Sequence, residues 1–442
     1  MSSHVVRRPA GGIRGSICVP GDKSIAHRAV MLGCLAKGTT RISNFPRHND
    51  SQATIGVFKQ LGIRIEESSN SCGRITVYGR GLYGLRASAK PLMAHESGTT
   101  LRLLAGIVSG QPFTSTITAA AGLLRRPMSR ITVPLRRMGA RIVARHVKGA
   151  NEEYPPLAIR GGQLKPITYT LPVASAQVKS ALLLAGLYAG GPTVIIEPAV
   201  TRDHTERMLR MFGAQISVRG RMVRLVPGKE LVCSARRITI PGDISSAAFF
   251  IVAALIVPGS RVVLKNVSLN PTRCGVLHVL KRMGGSIRIV NRTGNTGGEP
   301  AGDIIVESSR LRSTVVRAEE VPVLVDEVPV LMIAASVARG TTVFEGVGEL
   351  RVKETDRVHS MTSNLKRLGV TAGSYTHGSR LCLSVQGVDM LTGSTVSGFN
   401  DHRTAMSMAV AGLAASGKTT ITGVECIAKS FPGFFKVLAS LQ

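Results

Sequence analysis

Apolar positions recur every three or four residues in stretches along this chain, and five of those stretches end in the same way. A basic residue, an apolar residue one or two positions later, a glycine directly after that, and then a strand-like run recur: KQLGIRI from Lys59, RRMGARI from Arg136, RMFGAQI from Arg210, KRMGGSI from Lys281 and KRLGVTA from Lys366. In each phrase Leu, Met or Phe closes an apolar helical stripe. The glycine supplies the left-handed residue that stops a helix, and β-branched residues open a strand. The glycines Gly62, Gly139, Gly213, Gly284 and Gly369 lie near one period, and a last helix-like stretch, FFKVLASL, sits about one period further on. Near-periodic recurrence of one helix–strand phrase predicts an α/β fold of six repeated units.

Two Pro-Gly-Asp turns, in VPGDKSIAHR (Val19–Arg28) and IPGDISS (Ile240–Ser246), split the six units three and three. The expected architecture is two similar domains. One runs over 22–242, and the other joins 1–21 to 243–442, so that the turns form a two-strand hinge. A ligand held where two such domains close is a common enzyme arrangement.

At 442 residues with 44% apolar and 19% charged side chains, the chain is globular and large enough for more than one core. No stretch approaches the ~18 apolar residues of a membrane span. The N-terminus MSSHVVRRPAGG lacks the apolar core of a secretory signal. Seven cysteines without a C-x-x-C pair fit neither a disulfide frame nor a zinc site, and a reducing cytoplasm is the expected compartment. The net charge of +30 raises nucleic acid as a partner. Its distribution argues otherwise, because basic residues come singly or in pairs, aromatic residues are 4% of the chain, and Trp is absent. A generally positive surface and a site for polyanionic small molecules are the other readings of such charge.

The candidate chemistry gathers at expected helix starts. Lys23, Ser24 and Arg28 follow the first turn, where free N–H groups favour anions and Arg28 shares a helical face with Ser24. Ser175 and Gln177 open an apolar helix, and Asp401, His402 and Arg403 open another. In GELRVKETDRVHSM, Lys353, Glu354 and Arg357 have helical spacing, which would hold a carboxylate ionised among cations. Asp326 and Glu327 interrupt the apolar LVDEVPVLMIAA, where an acid must be paired or catalytic. RRPMSR, TRDHTERM and AKSFPGFF add further isolated cations. Taken singly, each segment is also what an ordinary capped or salt-bridged surface helix would show. No P-loop, H-E-x-x-H, G-x-S-x-G or dinucleotide fingerprint occurs, so metal and dinucleotide chemistry have no support.

With PGDKSIAHR, SAQVKSALLLAGL, RDHTERM, PGDISSAAFF, LRVKETDR, NDHR and SFPGF in order, the chain resembles the EPSP synthase family of the shikimate pathway along essentially its whole length. The resemblance implies two domains of three units each, an inverse α/β barrel. It also implies transfer of the enolpyruvyl group of phosphoenolpyruvate to the 5-hydroxyl of shikimate 3-phosphate, with release of phosphate. The implied route is addition and elimination through a tetrahedral intermediate, with no metal or organic cofactor, in a cytoplasmic monomer. Carried over by position, Lys23, Ser24, Arg28, Ser175, Gln177, Arg202, Asp326 and Lys353 would bind shikimate 3-phosphate. Lys23, Gly98, Arg126, Gln177, Arg357, Arg403 and Lys429 would bind phosphoenolpyruvate. Asp326 would serve the attacking hydroxyl and Glu354 the methylene carbon, with Lys23 sharing the proton work.

Three departures stand out. HESGTT places His95 and Glu96 where the family has Gly and Asn, AAAGLL from Ala119 lacks the acid and hydroxyl of the family's Gly-Asp-x-Ser-Leu, and Ala26 replaces a serine. An acid beside the phosphoenolpyruvate half-site should repel that substrate unless protonated or paired, with His95 as one partner. The first two departures imply weaker phosphoenolpyruvate binding and an altered response to glyphosate, a mimic of that substrate. The competing readings are an enolpyruvyl transferase acting on UDP-N-acetylglucosamine, which KSIAHR and NDHR fit badly, and a paralogue turned to binding anions or nucleic acid.

Overall fold

The computed structural model describes all residues except 1, 69–72, 148, 150–151, 234–236 and 295–297. They form two compact units, one of Gly21–Ile240 with Gly294–Glu299, the other of Met1–Pro20, Pro241–Thr293 and Pro300–Gln442. The chain passes from one unit to the other after Pro20, inside the first Pro-Gly-Asp turn, and after Ile240, directly before the second. The strip holding Gly298 and Glu299 departs from the sequence expectation, which put it with the C-terminal residues. Glu299 instead pairs with buried His204 at 2.7 Å, and the Gly298 carbonyl accepts from Arg207 at 3.5 Å, both in the Gly21–Ile240 unit.

The repeated phrase has one physical cause. Helices Asn49–Gln60, Ser129–Arg137, His204–Met211, Gly275–Arg282 and Arg357–Arg367 each end at the predicted glycine, whose φ lies between +83° and +105°. The residue after each glycine donates its N–H to a carbonyl five residues back, as in Ile63 to Phe58 and Val370 to Leu365. That pairing satisfies orphan carbonyls at the helix end and turns the chain into the next strand.

Each phrase belongs to a four-stranded sheet of one design. In the Gly21–Ile240 unit, Lys37–Ser43 pairs antiparallel with Ile75–Arg80, which pairs antiparallel with Arg64–Glu67. The fourth strand, Ile238–Thr239, lies parallel to Lys37–Ser43 on its other side. Two further sheets of this unit repeat the order, with Leu92–Met93 and Ile167–Thr170 as the short parallel strands. The other unit has two such sheets and a reduced one, in which Ser3–Arg7 pairs antiparallel with Lys418–Thr422. At the crossings the short strands are exchanged. Arg14–Ile17 precedes the Lys23 helix in the chain but pairs with Arg261–Ser268, while Ile238–Thr239 precedes the Ile244 helix but pairs with Lys37–Ser43.

Between the short parallel strand and the next long one runs a buried helix. The six are Lys23–Leu35, Gly98–Ser109, Ala176–Gly186, Ile244–Ile256, Val328–Ser336 and His402–Ala414. Most are apolar all round, as helices enclosed on every side must be, and each unit has its own hydrophobic core. Five are capped by a short side chain: Asp22, Ser97, Ser175, Asp243 and Asp401 accept from N–H groups in the first turn. Because the caps sit at the starts, polar side chains collect at one end of each helix set while the shafts stay apolar.

The Gly98 and Ala176 helices approach most closely at Gly106, where an added Cβ would stand 2.1 Å from the Ala181 carbonyl oxygen. Gly106→Ala therefore forces the two helices apart. It is expected to destabilise the protein by about 1–3 kcal/mol and to lower the thermal midpoint by several degrees. An unchanged melting curve would contradict this contact.

Candidate functional site

In the Gly21–Ile240 unit the helix starts carry a group of cations. Asp22, not Ser24, caps the first helix by accepting from the Ile25 N–H at 3.0 Å, so Lys23 is its first residue. Lys23 Nζ lies 2.9 Å from Asp50 Oδ2. Burial works against the Asp50 charge, but Lys23 outweighs it and holds the carboxyl below its ordinary range.

Arg28 is 4% exposed, yet no carboxylate stands within ion-pair distance among the described residues. Its Nε donates to Thr205 Oγ1 at 2.6 Å, Nη2 to Ser180 Oγ at 2.7 Å, and Nη1 to the Ser24 carbonyl at 2.9 Å. Burial lowers its pKa to about 10; Glu206, Asp22 and Glu299 act upward, and Arg202 pushes it down. Buried Lys179 is different, because Glu197 at 2.9 Å and Glu206 at 2.7 Å neutralise it. Its role is to hold the helix, whereas Arg28 keeps unbalanced charge.

Gly98, Arg126 and Gln177 are brought together by a residue that sequence reasoning missed. Arg102, 8% exposed, donates to Gln177 Oε1 at 2.7 Å, and Gln177 Nε2 donates to Thr99 Oγ1 at 3.1 Å. A Cβ on Gly98 would lie 2.8 Å from Arg102 Nη1, too close for the guanidinium to stay where it is, and at an ordinary 3.6 Å from Arg126 Nη1. Burial, with Arg126 and Arg130 nearby, pushes the Arg102 pKa down to about 9, and its buried Nε has no hydrogen-bond partner. The available signal was an arginine inside the otherwise apolar TLRLLAGIV. Ser175 caps the Ala176 helix by accepting from Val178 N–H at 3.4 Å.

The candidate residues of the other unit form an ion cluster instead. Arg357, 1% exposed, contacts Asp401 at 2.8 Å, Glu354 at 2.6 Å and Asp326 at 3.3 Å. Burial acts against its charge, but the three acids raise its pKa above the ordinary value. Arg403 donates to the Asp326 carbonyl at 2.9 Å and lies 3.6 Å from Glu327, which is buried and accepts from Ser245 Oγ. Lys429 donates to Asn400 Oδ1 at 3.4 Å, directly before the Asp401 cap.

Two expectations need correction here. The helical spacing of Lys353 and Glu354 is not realised, because Asp356 caps the helix and Arg357 is its first residue. Lys353 consequently turns to Glu349 at 2.6 Å. The suggested His95 partner for Glu96 is also not the one found, since its carboxylate accepts from the Gly122 N–H at 3.4 Å. A cleft of about 540 Å³ lined by Lys37, Tyr83, Tyr188 and Lys229 lies at the opposite ends of the Lys23 and Ala176 helices and holds none of the candidate residues.

The family model for EPSP synthase (3-phosphoshikimate 1-carboxyvinyltransferase) matches residues 8–438. The chain belongs to the EPSP synthase family. A 3-phosphoshikimate 1-carboxyvinyltransferase of Desulforudis audaxviator is 51% identical over 434 residues, 98% of each chain, and one of Desulforamulus reducens is 48% identical over the same coverage. The solved EPSP synthase of Acinetobacter baumannii superposes with a TM-score of 0.89 at 43% identity, covering 99% of this chain and 98% of that one. The two-domain, mixed α/β fold expected from the repeats is thus a family fold. No helix among the described residues is long and apolar enough to cross a membrane.

One buried group under the cationic end should make stability depend on pH. His27 is fully buried with Nδ1 2.6 Å from Thr54 Oγ1, and burial holds its pKa well below the ordinary 6.5. Below that pH the unfolded chain takes up a proton that the folded one refuses. Stability should therefore fall on acidification from pH 6.5, by up to about 1.4 kcal/mol per pH unit from this group. Urea unfolding of His27→Gln should show a shallower decline over pH 6.5–5, and identical slopes would refute the assignment.

Proposed function

We infer that this protein transfers the enolpyruvyl group of phosphoenolpyruvate to the 5-hydroxyl of shikimate 3-phosphate and releases phosphate. The observation that carries this reading is Arg28, a guanidinium buried on hydroxyl and carbonyl oxygens with no carboxylate within ion-pair distance among the described residues. A buried unbalanced cation is stabilised by an anionic ligand, and a phosphate monoester matches its planar donors. The binding-paralogue reading gains nothing from the structure and is not favoured beside full-length similarity to named enzymes.

We propose the following roles. Lys23, Ser24, Arg28, Ser175, Gln177, Arg202, Asp326 and Lys353 hold shikimate 3-phosphate. Lys23, Gly98, Arg126, Gln177, Arg357, Arg403 and Lys429 hold phosphoenolpyruvate, and Arg102 positions Gln177 through their 2.7 Å hydrogen bond. In the addition, a bond forms from the 5-oxygen to C2 of phosphoenolpyruvate. Asp326 takes the hydroxyl proton, and a proton is delivered to the methylene carbon. In the elimination the C2–phosphate oxygen bond breaks, and the methyl group returns one proton. Glu354, in its protonated form, gives the proton to that carbon in the addition and takes one back in the elimination, with Lys23 sharing the work, and its contact with Arg357 holds it in place. Convergent cations stabilise the negative charge of both substrates and of the departing phosphate. A monomer in a reducing cytoplasm completes this reading.

Phosphate release from shikimate 3-phosphate and phosphoenolpyruvate, with the latter titrated to high concentration, is the direct test. Saturable release is expected, and none with shikimate 3-phosphate still bound would overturn the reading. Arg28→Met should raise KM for shikimate 3-phosphate by roughly thirtyfold or more, the lower end of the effect of truncating a buried charged partner.

The Glu96 and 119–124 departures further lead us to propose altered glyphosate sensitivity. The inhibition constant of Glu96→Asn should move from the parent value toward tighter binding, and an unchanged constant would remove Glu96 as the cause.

A further inference from the structure

Gly122 lies in the short helical turn Ala121–Leu124, and its φ is not among the positive values that require glycine. Backbone conformation therefore does not explain the missing side chain. Its surroundings do: a Cβ at this position would lie 2.7 Å from Glu96 Oε2, 3.2 Å from Oε1 and 3.3 Å from Cδ. The Glu96 carboxylate occupies the space that any other residue at 122 would fill, and it accepts from the Gly122 N–H at 3.4 Å. The two segments are also tied by their backbones, with Ala120 N–H donating to the His95 carbonyl at 2.9 Å.

What Glu96 does not touch matters as much. Arg126, four residues after Gly122, has no side-chain hydrogen bond or ion pair among the described residues, although its guanidinium closes on Gly98, two residues from Glu96. Arg102 and Arg130 are close enough for their positive charges to interact, Arg126 acting on Arg102. An acid this near so dense a group of cations would ordinarily pair with one of them.

We propose that the Glu96–Gly122 contact withholds this acid from Arg126, which leaves the Arg126 guanidinium open to the carboxylate or phosphate of phosphoenolpyruvate. Gly122 is then a positioning residue that acts through Glu96, and the two departures from the family pattern are one coupled feature. The inference rests on the functional reading above for its substrate, but its geometry can be read without turnover.

The experiment compares the parent protein with Gly122→Ala, Glu96→Ala and the double variant. The added methyl group displaces the Glu96 carboxylate, which then pairs with Arg126. KM for phosphoenolpyruvate should rise about fivefold in Gly122→Ala, the scale of one partly exposed ion pair, with kcat largely kept. The double variant should return to the KM of Glu96→Ala alone. In parallel, phenylglyoxal labelling of Arg126, read by peptide mass spectrometry without substrates, should slow in Gly122→Ala and recover in the double variant. Parent-like labelling in Gly122→Ala, or the same slowing in both Glu96 backgrounds, overturns the proposal. Absence of turnover in the parent would instead refute the functional reading, with the labelling still deciding this one.

Discussion

A guanidinium taken out of water with no carboxylate beside it carries a penalty of several kcal/mol unless hydrogen bonds and a ligand offset it. Among the described residues, Arg28 and Arg102 of the Gly21–Ile240 unit are such groups, each on neutral oxygens. Their hydroxyl partners Thr205 and Ser180 and the amide of Gln177 orient them without cancelling their charge. The rest of the local structure serves that condition. Gly98 leaves room for the Arg102 guanidinium, and the caps Ser97 and Ser175 consume N–H groups without adding negative charge.

The second unit handles charge in the opposite way. Arg357 is buried as deeply as Arg28, but three acids surround it and Arg403 bridges to a fourth. An arginine in that setting is anchored through all three of its nitrogens, with one N–H of each terminal nitrogen left over, and its charge acts first on the acids. It holds Glu354 and Asp326 in fixed places. Asp401 joins this cluster to the backbone, since the same carboxylate contacts Arg357 and caps the His402 helix. Cations on neutral oxygens in one unit and acids paired with arginine in the other are thus gathered near the starts of helices.

The buried helices can be apolar along their shafts because polar work is confined to their first turns. Lys23, Ser175, Asp243 and Asp401 all stand within one residue of a helix start, and each starts a helix whose interior positions are buried. The exchanged short strands at the two Pro-Gly-Asp turns place both crossings immediately before such starts. The same peptide geometry is therefore used twice, once with cations after it and once with serines.

Much of this was open to a reader of the chain alone. The repeat phrase determined five helix stops, because a left-handed residue followed by a strand has a local cause and glycine satisfies it wherever it falls. The two Pro-Gly-Asp turns were visible as well, in a tripeptide that recurs. The family motifs named the candidate residues, though not their partners. Three matters were decided only by tertiary structure. Arg102 looked like one polar residue in an apolar helix until Gln177, 75 residues away, met it. Lys353 and Glu354 had helical spacing, but the Asp356 cap started the helix after them. Glu96 found its partner in a backbone N–H at Gly122 rather than in the adjacent His95. Local signals report what a segment does with its own backbone; whether a charge is balanced depends on which distant side chain folding brings within about 4 Å, and spacing along the chain carries no measure of that.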